Sequence, residues 1–235
     1  MDHAIVTGTN RGIGFEITKN LLINNYRVYG ISRKNTIHNN NFEFLPTDLS
    51  KANDVEQIIF PTINENNKII LINNAGTIGS IKPISKKSAN DIISEYNINI
   101  IAPTLLIKKF IKKYPHNDKL IINIGSGAAN YPIESWSTYC AAKSALDMIS
   151  NVVQKETHEK LRCISIHPGK VDTGMQKEIR SAEPTLFPLV KTFSDYHKNN
   201  ELSSPIVVAK KIYHIICNID KIRENVLHVD NISLN

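Results

Sequence analysis

The stretch GSGAANYPIESWSTYCAAK, residues 125 to 143, holds three side chains whose types and spacing suit proton transfer. Ser126 follows an apolar run, Leu120 to Ile124, that reads as a buried strand. Tyr139 and Lys143 stand four residues apart in a helix predicted over Thr138 to Lys155, which puts both on one face. A free phenol, with a pKa of about 10, is a poor acid at neutral pH. A neighbouring ammonium is expected to lower that value toward the working range. Ser126 can donate a hydrogen bond to a carbonyl oxygen. Together the three would polarise a carbonyl and pass the Tyr139 proton to its oxygen as hydride reaches its carbon.

Hydride needs a donor, and the N-terminus carries a place for one. Ala4-Ile5-Val6 reads as a strand and Ile13 to Ile23 as a helix, with TGTNRGIG between them. Gly8, Asn10, Arg11, Gly12, Ile13 and Gly14 would let the backbone approach a pyrophosphate, which the helix N-terminus stabilises. A glycine-rich turn without a ligand is the plain alternative, but strand, turn and helix in that order favour a dinucleotide. The next strand, Arg27 to Ile31, ends in Ser32-Arg33, with no acid where a free ribose 2′-hydroxyl would be met. Arg33, with Arg11 as a second cation, favours NADP(H). Asp48 and Leu49 are placed against adenine, although Asp48 is equally suited to cap a helix. Asn74, Ala75 and Gly76, after the strand Lys68 to Ile72, leave room for the cofactor.

Behind these residues stands an alternation of short β-branched runs and longer helical patterns. It predicts one α/β domain over residues 1–235, a Rossmann-type doubly wound parallel sheet with helices on both faces. Val55 to Asn64 is expected to be helical. Asn90 to Lys113 is expected to be one long helix kinked at Pro103, and Leu161 to His167 a late strand. Residues 174–204, with Pro184 and Pro188, lack a clean period and are expected to cover the substrate.

A net charge of +6 comes from scattered basic residues, 28 against 22 acidic ones, and gives no nucleic-acid footprint. Lys86-Lys87, Lys108-Lys109 and Lys112-Lys113 read as solvated helix faces. Cys140, Cys163 and Cys217 make no C-x-x-C pair, which points to a reducing compartment and, by default, the cytoplasm. No stretch reaches membrane-spanning length. The histidines show no metal-ligand spacing, so no metal is expected.

Taken in order, TGTNRGIG, NNAG, NIN at 97–99, Ser126 with YCAAK, and HPGKVDT at 167–173 resemble the short-chain dehydrogenase/reductase family over nearly the whole chain. The resemblance is nearest to the sepiapterin reductase and benzil reductase branch. It implies an NADPH-dependent reductase of a ketone or dicarbonyl. Asn99 would hold a water for proton relay and complete a tetrad with Ser126, Tyr139 and Lys143. Lys143 would also bond the nicotinamide ribose, and Pro168, Gly169, Val171 and Thr173 would flank the nicotinamide. Trp136 and Met175 are the expected substrate contacts beside Ser126, with core packing an almost equal alternative for Trp136. A homodimer or homotetramer is implied, with the apolar positions Ala142, Ala145, Leu146, Ile149 and Val153 available to a partner or to the core. Two positions depart from the branch: Gly125, where a second serine is usual, and His167 before Pro-Gly. A catalytically silent NADP(H)-binding regulator on the same fold is the alternative. An acyl-transfer serine lacks its G-x-S-x-G elbow.

Overall fold

The computed structural model describes residues 1–156 and 160–234. Its order is β1 (His3–Thr7), α1 (Gly12–Ile23), β2 (Arg27–Ser32), β3 (Phe42–Pro46), α2 (Ala52–Gln57), β4 (Ile69–Asn73), α3 (Ala89–Tyr96) and α4 (Ala102–Lys113). It continues with β5 (Lys119–Ile124), α5 (Ser137–Lys155), β6 (Leu161–His167), α6 (Gly174–Arg180), α7 (Val190–Lys198), α8 (Pro205–Cys217) and β7 (Val226–His228). The strands form one parallel sheet ordered β3-β2-β1-β4-β5-β6-β7. The strand order turns back between β1 and β4, which opens a crevice at their carboxyl ends.

The central strands are buried throughout and carry the apolar runs Ile69–Ile72 and Leu120–Ile122, because the sheet is covered on both sides. One core joins Ala4, Val6, Ile70 and Ile122 to α1 and α8. A second joins Ile5, Leu71 and Ile121 to α4 on the opposite face. A third, smaller cluster gathers Ile78, Trp136, Tyr139, Ile179 and Phe187 beside the crevice.

Four local expectations change or narrow. The helix expected over 55–64 ends at Gln57. Ile58, Phe60 and Ile63 are buried from an irregular segment, and Pro61 disfavours helix in the residue before it. The irregularity in the long helix falls at a π turn, Asn97–Ile101, and Pro103 sits in the first turn of α4, where a proline is tolerated. On α5, Ala142, Leu146 and Val153 belong to the core rather than to a partner-facing surface. Residues 174–204, expected as an irregular cover, carry α6 and α7.

Candidate active site

A cavity of about 530 Å³ follows the crevice. Its wall includes Gly8, Asn10, Arg11, Gly12 and Ile13 from the first turn, then Ser32, Arg33, Asp48, Leu49, Asn74, Ala75 and Gly76. Tyr139, Lys143, Pro168, Thr173 and Met175 close its inner end. The first turn is built for close approach. Gly8 has a φ of +74°, and a Cβ there would lie 2.9 Å from Asn74 Nδ2. Asn74 in turn donates Nδ2 to the Thr7 carbonyl at 2.9 Å, which ties the ends of β1 and β4 together. α1 has no side-chain cap, so its first N–H groups are left for a ligand. An open glycine cradle at an uncapped helix start fits the pyrophosphate of a dinucleotide.

At the ribose end Arg33 is exposed, while Ser32 is buried with its hydroxyl donated to the Lys34 carbonyl at 2.8 Å. Asp48 is not a helix cap. It accepts from the Ser50 amide and hydroxyl, and that hydroxyl holds its carboxyl below the usual range against the opposing effect of burial. Arg11, expected as a second cation for the ribose, reaches across the cavity instead, its Nη2 3.6 Å from Glu178 Oε1 on α6.

The inner end brings the expected catalytic residues together. A Cβ on Gly76 would sit 3.2 Å from Asn99 Oδ1 and 3.7 Å from Lys143 Nζ, so the three converge on one point. Asn99, on the π turn, accepts the Thr77 amide at 3.0 Å and donates Nδ2 to the Thr77 carbonyl at 2.9 Å. Lys143 Nζ is 5.7 Å from the centre of the Tyr139 ring and donates to the Ile124 carbonyl at 2.7 Å. The expected direction of the Tyr139 shift is reversed. Burial pushes the phenol above its ordinary value, with the Ser126 hydroxyl acting against it, and burial pushes Lys143 down to about 8. Desolvation disfavours the charged form of each, and for the phenol it outweighs the hydrogen bond from Ser126.

Several expected contacts lie off the cavity wall. Gly14 packs under Asn74 and the Gly8 carbonyl, where a side chain would not fit. Gly169 abuts the Asp230 carboxylate. Val171 is buried and bridges to Ser203. Trp136 is packed rather than at a mouth: it stacks on Phe187 at 5.6 Å and meets Tyr139 edge-on at 5.6 Å. Met175 is at the reacting end, its Sδ 3.9 Å from the Tyr139 hydroxyl.

The sequence reading missed a buried ion pair beside the site. Lys87, expected on a solvated face, has no exposed side-chain surface and lies 2.8 Å from Glu95 Oε2. Glu95 also accepts the Ser80 amide at 2.7 Å and the hydroxyl of Thr138, the neighbour of Tyr139. Burial works against the Glu95 charge, and these donors outweigh it, leaving its pKa lowered. A lysine in a loop and a glutamate on the following helix carry no spacing that announces the pairing.

A family model described as short chain dehydrogenase matches residues 2–184. The chain is 35% identical over 234 residues to a benzil reductase ((S)-benzoin forming) of Bacillus cereus, covering 92% of this chain and 94% of that one. It is 27% identical over 198 residues to sepiapterin reductase of Bos taurus, covering 79% of this chain and 72% of that one. A crystal structure of a short chain dehydrogenase/reductase from Saccharomyces cerevisiae superposes with a TM-score of 0.86 at 22% identity, over 98% of this chain and 97% of that one.

Proposed function

The chain belongs to the short chain dehydrogenase family, and from that premise we propose that it is an NADPH-dependent carbonyl reductase acting on dicarbonyls of the benzil type. The observation that carries the reading is the convergence of Asn99, Gly76, Lys143 and Tyr139 at the inner end of the cavity. Reduced nicotinamide, when bound, supplies hydride to the carbonyl carbon. Ser126 donates a hydrogen bond to the carbonyl oxygen. Tyr139 gives its proton to that oxygen as negative charge develops there, and the Lys143 ammonium stabilises the phenolate left behind. Asn99, its side chain fixed by two hydrogen bonds to Thr77 on the π turn, would hold a water on the route by which Tyr139 is reprotonated. Residues 174–204 serve as the substrate cover, with Met175 giving way to the carbonyl.

The preference for NADPH rests on Arg33, whose guanidinium can pair two N–H donors with a 2′-phosphate while no carboxylate ends β2. Purified protein, assayed by loss of reduced-nicotinamide absorbance, should turn over benzil or a sepiapterin-like carbonyl faster with NADPH than with NADH. Arg33→Ala should weaken NADPH binding about ten- to a hundredfold and leave NADH binding nearly unchanged. Equal losses would make Arg33 structural. Tight cofactor binding without turnover of any carbonyl would favour a silent NADP(H)-binding regulator.

A further inference from the structure

Asp147, His167 and Ser165 form a buried cluster that the reaction described above does not use. Asp147 follows Lys143 by four residues on α5, so the two side chains share a face. Its Oδ1 accepts the Ser165 hydroxyl at 2.5 Å, and its Oδ2 lies 2.8 Å from His167 Nε2. Ser165 and His167 come from β6, and the His167 side chain is 1% exposed. Among the described residues, His167 Nδ1 is buried without a partner. The ring therefore makes its hydrogen bond through Nε2, whose N–H is donated to the Asp147 carboxylate.

Gly125 is the wall between this cluster and the cofactor cavity. A Cβ there would lie 2.6 Å from both His167 Cδ2 and Ser165 Oγ, and 3.0 Å from Asp147 Oδ1. The glycine at 125 and the histidine at 167 are therefore one feature, since the ring occupies the space that a side chain at 125 would need.

Lys143 gives the cluster a purpose. Its ammonium is buried and donates to the Ile124 carbonyl, a dipole without net charge. A buried ammonium without a counter-charge tends to shed its proton. Its surroundings supply few charges. Tyr139 and Asp147 lie on its own helix, and Glu95 of α3 is taken up by Lys87 and Thr138. β6 brings His167, Cys163 and Arg162, the last held by Asn225 at 2.6 Å, and His228 of β7 stands edge-on to the His167 ring at 4.6 Å. Among the described residues, Asp147 is the carboxylate left for Lys143. Burial acts to deprotonate the lysine, and the Asp147 charge opposes it.

We propose that Asp147 is the counter-charge of Lys143 and that His167 and Ser165 hold its carboxylate in place, making all three positioning residues for the proton-transfer step. The proposal rests on the reading of this site as a carbonyl reductase. A carboxylate fixed by two donors keeps the lysine cationic while Tyr139 gives up its proton. With those donors removed, nothing holds the partly exposed Asp147 carboxylate facing Lys143, and its charge can turn toward solvent.

The test follows the Lys143 ε-amino group by NMR across pH in the full chain, assigned with Lys143→Arg, beside the pH profile of dicarbonyl reduction. In Asp147→Asn the Lys143 titration should fall by roughly one pH unit or more. The alkaline limb of kcat/KM should move down with it. His167→Gln, which keeps an N–H donor, should hold both near wild type, and His167→Ala should not. An unmoved Lys143 titration in Asp147→Asn overturns the proposal even if turnover falls. Should that variant not fold, an unmoved titration in His167→Ala overturns it instead. If the wild type reduces no carbonyl yet the titration moves as expected, the reductase reading fails while the Lys143–Asp147 pairing stands.

Discussion

In the proposed reduction Tyr139 must reach the carbonyl still holding its proton, and its surroundings favour that state. The ring is 7% exposed, and burial raises the pKa of its phenol. Lys143, pushed down to about 8, is cationic at neutral pH but close to its limit. The acid is thus kept loaded by its own burial, and the lysine acts once the phenolate forms. Tyr139→Phe removes the proton and keeps the packing against Trp136. It should lower kcat by roughly 10²–10⁴ while leaving NADPH binding, read by fluorescence titration, nearly intact. Turnover within a few-fold of wild type would remove Tyr139 from the acid role. Residue types and spacing nominate Ser126, Tyr139 and Lys143 as the proton-transfer candidates. They were not enough to fix the direction of the Tyr139 shift, because spacing reports who the neighbours are and not how much water is excluded. Trp136 is ambiguous for the same reason: three residues before Tyr139 fits a substrate mouth and an aromatic core equally well.

At the scale of elements, Glu95 links three pieces of chain around the site. It joins α3, the turn at Gly79–Ser80 and the first turn of α5, where Thr138 precedes Tyr139. Lys87 completes it, donating also to the Ser80 carbonyl at 2.6 Å. Because the pair is buried and its donors are matched, losing one partner should cost far more than a surface pair would. Lys87→Met should destabilise the fold by about 3–5 kcal/mol, since it strands the Glu95 charge. Lys87→Met with Glu95→Gln should recover much of that loss. Urea unfolding of the single and double variants measures both, and a loss below about 1 kcal/mol for the single variant would mean that water reaches the pair. Central strands and the helices carrying Tyr139 and the glycine turn were legible because burial on both faces writes continuous apolar runs. The edge strands were not. β3 is only partly buried and ends in Pro46, and β7 spans three residues, too few for any period to register.

On the scale of the whole molecule, α5 turns one face to the core and leaves another uncovered. Ala142, Leu146 and Val153 fill the interior, while Met148 is 62% exposed and Val152 47% exposed. Ala141, Met148 and Val152 recur at helical spacing on the outward side, and Ile101 on the neighbouring π turn is also exposed. Isolated apolar residues on a surface need no explanation, but a stripe along the helix that carries Tyr139 and Lys143 does. The expected homodimer would cover this stripe, pairing α5 with its symmetry mate so that one patch serves both subunits. A stable interface of that kind buries roughly 1,200–2,000 Å² in total, which needs the neighbouring π turn and α4 as well as α5. Sedimentation velocity should therefore give a dimer or tetramer at micromolar concentration. Val152→Glu places two like charges near the symmetry axis and should shift the protein to monomer. Because Val152 points away from Lys143 and Tyr139, any loss of turnover in that variant would report support of α5 by the partner rather than damage to the site. A wild-type monomer would leave the stripe without a covering copy and refute the dimer.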